Sequence, residues 1–291
     1  MKRLLLSLTL PILPLLSFGA DPAPGAGSFH GVAGLQLYSL RDTFKHDGVP
    51  KTLDLAKSFG ITEVETASTY GMPAEEFKKQ LDERGLKPIS GHFQYDALNK
   101  DVAAAIKEAK ALGLKYVVCP WIPHNIAEFS EADVHRAAAD FNRWGEAFKA
   151  EGISFGYHPH GYEFKPLDDG STLFDLLVKE TKPEFVMFEM DVFWITHPGV
   201  DPAKLLEKYP TRWQLMHLKD LRKGARTGVY TGHTSLEDDV PLGTGQVNWP
   251  SVFSAAAKVG VKHYFIEDES PTATQGIPKS LAYLETLKAT K

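Results

Sequence analysis

Cysteine is almost absent from this chain of 291 residues. Cys119 is the only one, so no internal disulfide can form and the fold has to rest on its packed core. A surplus of basic charge is missing too: 32 Lys+Arg stand against 37 Asp+Glu, a net charge of -5 that leaves no electrostatic footprint for nucleic acid. No Gly-x-Gly-x-x-Gly turn follows the first expected strand, which argues against a dinucleotide-binding sheet. The apolar run at residues 4–16 is short and broken by Pro11 and Pro14, a poor membrane span.

That run reads instead as an export signal. Lys2 and Arg3 precede it, and the small residues Ser17 and Gly19 place a cleavage point between Gly19 and Ala20. Residues 1–19 are therefore expected to be a signal peptide, 20–28 a Pro/Gly linker, and 29–291 the folded domain of a periplasmic or secreted protein. No cysteine lies near the cleavage point, which excludes a lipid-modified terminus.

What is present is a regular alternation. Short apolar runs at 34–38, 63–66, 88–92, 116–120, 154–158, 186–191, 214–219 and 264–267 predict eight strands. Amphipathic stretches at 51–58, 74–84, 102–112, 131–151, 171–179, 202–208, 249–259 and 278–287 predict the helices between them, many closed by a glycine suited to a left-handed C-cap. Eight strand–helix units in a length near the roughly 250 residues of a complete barrel predict an α/β fold, a single (β/α)8 TIM barrel. Residues 222–248 exceed an ordinary loop and predict a lid or binding loop.

Several of these strands end in groups that bind metals or move protons. Glu65, His92 and His158 end the second, third and fifth strands, and Glu163 follows the fifth; Asp191 ends the sixth, His217 and Lys219 the seventh, and Glu267 the last. In a barrel those ends converge, so residues far apart in sequence can share one divalent cation. Glu189 sits two before Asp191 on the same side of its strand and is expected to be a partner or competitor of the ligands.

The segments Tyr157–Phe164, Asp191–Trp194, His217–Asp220, Gly243–Trp249 and Tyr264–Glu267, with the opening strand, together resemble the sugar phosphate isomerase/epimerase group of the xylose isomerase-like barrels. The resemblance implies a metal site of Glu163, Asp191, His217 and Glu267, filled by Mn, Mg, Co or Zn. Such an ion stabilises the enediolate formed when a keto-sugar loses the proton next to its carbonyl. The chain departs from the group where His158 or His160 stands for a glutamate, and where Trp194 stands for a histidine. His160 and Lys219 thereby become the candidate acid/base groups, with Glu163 and Glu267 on the catalytic side as well as among the ligands. Glu65, His92, His158 and Trp194 are expected to contact substrate.

The expected activity is that of an exported, metal-dependent isomerase or epimerase of a non-phosphorylated keto-sugar. The alternatives are a lyase or hydrolase of 3-keto-glycosides using the same enolate, and a non-catalytic sugar-binding barrel. The expected partner is a small carbohydrate, with no nucleic acid and no stable membrane insertion after signal cleavage. The resemblance also allows copies to pair through barrel helices, although no helix carries an interface pattern of its own.

Overall fold

A computed structural model describes residues 27–125 and 128–288. The expected signal peptide and most of the expected linker lie outside the described residues. Eight parallel strands close into a barrel: β1 (Ala33–Gln36), β2 (Glu63–Thr66), β3 (Lys87–His92), β4 (Tyr116–Cys119), β5 (Ser154–Tyr157), β6 (Val186–Asp191), β7 (Trp213–Leu218) and, after a short antiparallel pair, β10 (His263–Ile266). The antiparallel pair, β8 (Asp220–Leu221) and β9 (Asp239–Val240), pinches together the base of the long loop. β10 pairs with both β7 and β1, and this closes the ring.

The outer layer contains α1 (Arg41–Ser58), α2 (Ala74–Asp82), α3 (Tyr95–Lys100), α4 (Val102–Leu112), α5 (Glu131–Ala150), α6 (Leu173–Glu180), α7 (Val192–Thr196), α8 (Pro202–Lys208), α9 (Trp249–Val259) and α10 (Ala273–Thr286). Local chemistry sets their ends. Ser130 with Asp133 and Thr172 with Asp175 form reciprocal capping boxes that start α5 and α6. Gly113 and Gly260 end α4 and α9 in the left-handed region, as the sequence pattern predicts. No helix among the described residues is long and apolar enough to cross a membrane.

The strand period of two places the site. Along β6, Met187, Glu189 and Asp191 follow one another at spacing two; along β7 and just past it come Leu215, His217 and Lys219; along β10 and just past it come Phe265, Glu267 and Glu269. Met187, Leu215 and Phe265 pack with Ile89, Tyr116 and Val118 into an apolar cluster of their own, the floor of the barrel interior. Above that floor the same faces carry carboxylates and imidazoles. Because parallel strands end at one rim, the next residues in each series meet there.

Candidate metal centre and acid/base site

Asp191 is the last residue of β6 and the N-cap of α7. Its Oδ1 accepts the backbone N–H of Trp194 at 2.9 Å, which fixes the carboxylate. Its Oδ2 is buried and has no hydrogen-bond partner. That free oxygen lies 3.7 Å from Nδ1 of His217 and 3.7 Å from Nε2 of His158, while Oε2 of Glu267 lies 3.2 Å from the same Nδ1.

The far sides of both imidazoles are held. His217 turns Nε2 to Oε2 of Glu65 at 2.6 Å, and His158 turns Nδ1 to Oε2 of Glu189 at 3.0 Å. Gln36 completes this layer by donating from Nε2 to Glu65 at 2.6 Å. With the rear nitrogens paired to carboxylates, the front nitrogens face Asp191, and this is how a carboxylate–histidine pair orients an imidazole toward a cation. Ligands about 2.1 Å from a cation stand about 3.0–3.4 Å apart; the 3.2 Å between Glu267 and His217 lies in that range and the two 3.7 Å distances to Asp191 lie just outside it. An unpartnered buried carboxylate oxygen and a mixed N/O donor set fit a divalent cation held by Asp191, His217 and Glu267, with His158 next to them.

A second grouping, His92, His158, Glu189 and His217, is also compact. Here Oε2 of Glu189 already stands 3.0 Å from His92, 3.0 Å from His158 and 3.3 Å from His217. These are hydrogen-bond distances around one oxygen, so Glu189 is a hub behind the ligands. Burial by itself penalises its charge, but His217, His158 and His92 outweigh that and hold it well below the usual carboxylate range. Burial likewise opposes a charge on His92, yet Glu65 and Glu189 raise its pKa to about 10.

Glu163, a ligand in the set that the resemblance implies, has its Oε1 held by hydrogen bonds and its Oε2 buried with no partner. Gly161, at φ +95° with its α-carbon against the carbonyl of Trp194, turns the chain sharply into a 3-10 turn over Tyr162–Phe164. Oε1 of Glu163 then accepts the hydroxyl of Tyr157 and, at 3.0 Å, the backbone N–H of His160. It stands in neither compact grouping of ligand-type atoms among the described residues. The geometry gathers Asp191, His217 and Glu267 as expected; His158 belongs to the other grouping and approaches this one through its 3.7 Å distance to Asp191. Burial pushes the Glu163 carboxyl up to about 7.

A cavity of about 370 Å³ opens on this centre, within the range of small-molecule sites. His92, His158, His160, Trp194, Lys219 and Glu267 all line it. Glu65 does not; it is fully buried behind His92 and His217. Lys219 is buried and held by Glu269 and by Glu267 at 3.3 Å, with Asp239 3.8 Å away. Burial opposes its charge, but these carboxylates keep the ammonium well above its ordinary pKa. His160 moves the other way: burial first, then His158, holds it well below the usual imidazole value. The two flank Trp194, the ammonium 5.6 Å and the imidazole 5.5 Å from its ring centre. These opposite directions leave His160 neutral and Lys219 cationic at neutral pH within one cavity.

Sequence reading missed Glu269 and Asp239 as partners of Lys219. Glu269 was detectable, because it continues the spacing-two series of β10. Asp239 was not, because a loop brings it back. Residues 232–236 of the long loop do line the cavity, as its length predicts.

A family model described as xylose isomerase-like TIM barrel matches residues 53–287. An inosose dehydratase of Clostridium botulinum is 24% identical over 68% of this chain and 74% of its own length. A crystal structure titled sugar phosphate isomerase/epimerase, from Parabacteroides distasonis, superposes with a TM-score of 0.72 at 28% identity, covering 94% of this chain and 99% of that one. A structure titled IOLI protein with a binding zinc atom superposes at 0.64 with 14% identity, over 88% and 97% of the two chains.

Proposed function

The chain belongs to the xylose isomerase-like TIM barrel family, and we propose that it is an exported enzyme that removes the proton next to the carbonyl of a non-phosphorylated keto-sugar and returns it, giving an isomer or epimer. The observation that carries this reading is the pairing of a neutral His160 with a cationic Lys219 in one cavity beside a metal-type donor set. A divalent cation bound by Asp191, His217 and Glu267, with His158 next to them, would polarise the carbonyl and lower the cost of forming the enolate. His160 takes the proton from carbon at its free ring nitrogen. Lys219 holds the proton to be delivered and adds positive charge where negative charge develops.

The charge of the cavity supports a substrate without phosphate. Lys219 is the only Lys or Arg among the lining residues, and Asp239, Glu267 and Glu269 surround it. Arg222 pairs with Asp238 at 2.5 Å and is not a lining residue. The proposed export rests on the pattern of residues 1–19, and N-terminal sequencing of the mature protein tests it, with Ala20 expected first.

A second reading, elimination of a group β to the carbonyl, is favoured by one feature: an ammonium can protonate a departing oxygen as readily as a carbon. The inosose dehydratase relative is named for such a reaction. NMR of the metal-loaded protein with 3-keto-glucosides and free ketoses in deuterated water separates the readings. Deuterium next to the carbonyl with the substituent retained supports isomerisation or epimerisation, and an enone with the substituent released supports elimination. Absence of both, with metal bound, would refute the enzymatic reading for these substrates. His160→Ala should lower exchange by about 10²–10⁴-fold while leaving metal content unchanged.

A further inference from the structure

Oε2 of Glu267 serves two nitrogens at once. It lies 3.2 Å from Nδ1 of His217, within the donor set that fits a divalent cation, and 3.3 Å from the ammonium of Lys219. The oxygen placed to hold a cation is therefore already hydrogen-bonded to a positive charge. An ammonium and a divalent cation on one carboxylate oxygen repel each other, and Lys219, only 2% exposed, has little water around it to screen that repulsion.

Lys219 has another acceptor at hand. Its ammonium carries three N–H groups. Glu269 accepts one and Glu267 another, while Asp239 stands 3.8 Å away, about 1 Å beyond a hydrogen bond. Asp239 is fixed from two directions: it pairs with Leu221 where β8 meets β9, and its Oδ2 accepts the backbone N–H of Glu269 at 2.6 Å. Its Oδ1 is buried and has no hydrogen-bond partner. An unpaired buried oxygen costs free energy, and the flexible four-carbon stem of a lysine can bring a donor to it, whereas the anchored carboxylate stays in place.

We propose that Lys219 competes with a divalent cation for Oε2 of Glu267, and that Asp239 takes up the ammonium when the cation is bound. Lys219 is then a built-in antagonist of the metal. Asp239 is a positioning residue that relieves the antagonism and keeps the ammonium in the cavity it shares with His160. The proposal rests on the metal centre described above and not on the identity of the substrate. By linkage, whatever Lys219 costs in metal affinity is also the amount by which bound metal loosens Lys219 from Glu267, so the ammonium is released toward the cavity only in the loaded protein.

The test measures Mn²⁺ affinity by chelator competition with no substrate present. Lys219→Gln, which removes the charge and keeps an N–H donor for Glu269, should bind Mn²⁺ at least about tenfold more tightly than the parent protein. Asp239→Asn should bind it about tenfold more weakly in the parent background, but less than about threefold more weakly in the Lys219→Gln background, where there is no ammonium to take up. An equal loss in both backgrounds would show general attraction between a carboxylate and a cation and overturn the role of Asp239. Unchanged or weaker affinity in Lys219→Gln would overturn the competition. Should a variant fail to fold, crystals of the parent protein with and without Mn²⁺ decide: Nζ of Lys219 is expected on Asp239 when Mn²⁺ is bound, and Nζ still on Glu267 would overturn the proposal. A parent protein that binds none of Mn²⁺, Mg²⁺, Co²⁺ and Zn²⁺ would overturn the metal centre and the competition together, which separates that failure from the others.

Discussion

Nε2 of His217 lies 2.6 Å from Oε2 of Glu65, while its Nδ1 faces Asp191 and Glu267. One ring thus joins a buried carboxylate behind it to a donor set in front. Burial alone would strip charge from that ring, but Glu189, Glu267 and Glu65 together hold its pKa well above the ordinary value. A cation binding at Nδ1 therefore has to displace a proton there, while the N–H at Nε2 stays on Glu65.

If Glu65 acts in this way, Glu65→Gln weakens divalent-metal affinity by about 10–100-fold with every direct ligand intact. Chelator competition followed by metal analysis measures it. An unchanged affinity would show that the orientation of His217 does not depend on Glu65.

His158→Ala and Asp191→Ala should each lose bound metal after dialysis, whereas Glu163→Gln should keep it. Plasma mass spectrometry of the three proteins decides between His158 and Glu163 as the fourth ligand. Metal lost from the Glu163 variant and kept in the His158 variant would restore the ligand set that the resemblance implies.

Glu163 also predicts a pH dependence. Its carboxyl is raised from 4.5 to about 7, chiefly by burial. Between those values the folded chain keeps a proton that the unfolded chain has released, so stability declines as pH rises through this window and the loss is complete above about pH 7. The full effect is on the order of 3 kcal/mol. Urea denaturation at pH 5 and pH 8 should show the decline in the parent protein and a flatter profile in Glu163→Gln, which carries no charge to bury.

Asp220 predicts a coupling between stability and substrate affinity. Its carboxylate accepts the backbone N–H groups of Gly243 at 2.9 Å, Gly245 at 3.2 Å and Val247 at 3.2 Å, and the indole N–H of Trp249 at 3.0 Å. Asp220→Ala strands these donors at a cost of about 2–4 kcal/mol. It should also raise KM, because residues 232–236 of the loop it secures line the cavity. A fall in stability with KM unchanged would separate the anchor from the binding surface.

The barrel itself was legible in the sequence, since each strand is a short apolar run and five of the eight follow a glycine near the end of the preceding helix (Gly60, Gly85, Gly113, Gly152 and Gly260), and these signals are local. The start of α1 was not. Gly48 at φ 76° and ψ 175° breaks the helix and Pro50 restarts it, so the periodic pattern begins only at residue 51 while the helix begins at Arg41. Site residues were legible where they continue a strand's alternation, as Asp191, His217 and Glu267 do. The direction of Glu163 was not legible because a turn at Gly161 decides it, and sequence spacing does not encode which way such a turn sends the chain. The partner of His158 was not legible for a related reason: Glu189 reaches its Nδ1 from the next strand, and sequence spacing does not show which strands face each other in the barrel.

The long loop is fastened at its base and open along its middle. Asp220 and the pairing of β8 with β9 secure its two feet, whereas His233, Ser235 and Leu236 meet the cavity with much of their surface in solvent. Stability is therefore concentrated in one part of the loop and ligand contact in another. Sequence change at an exposed position such as Leu236 costs folding little, so the loop middle can vary over a fixed barrel interior and alter what the cavity accepts.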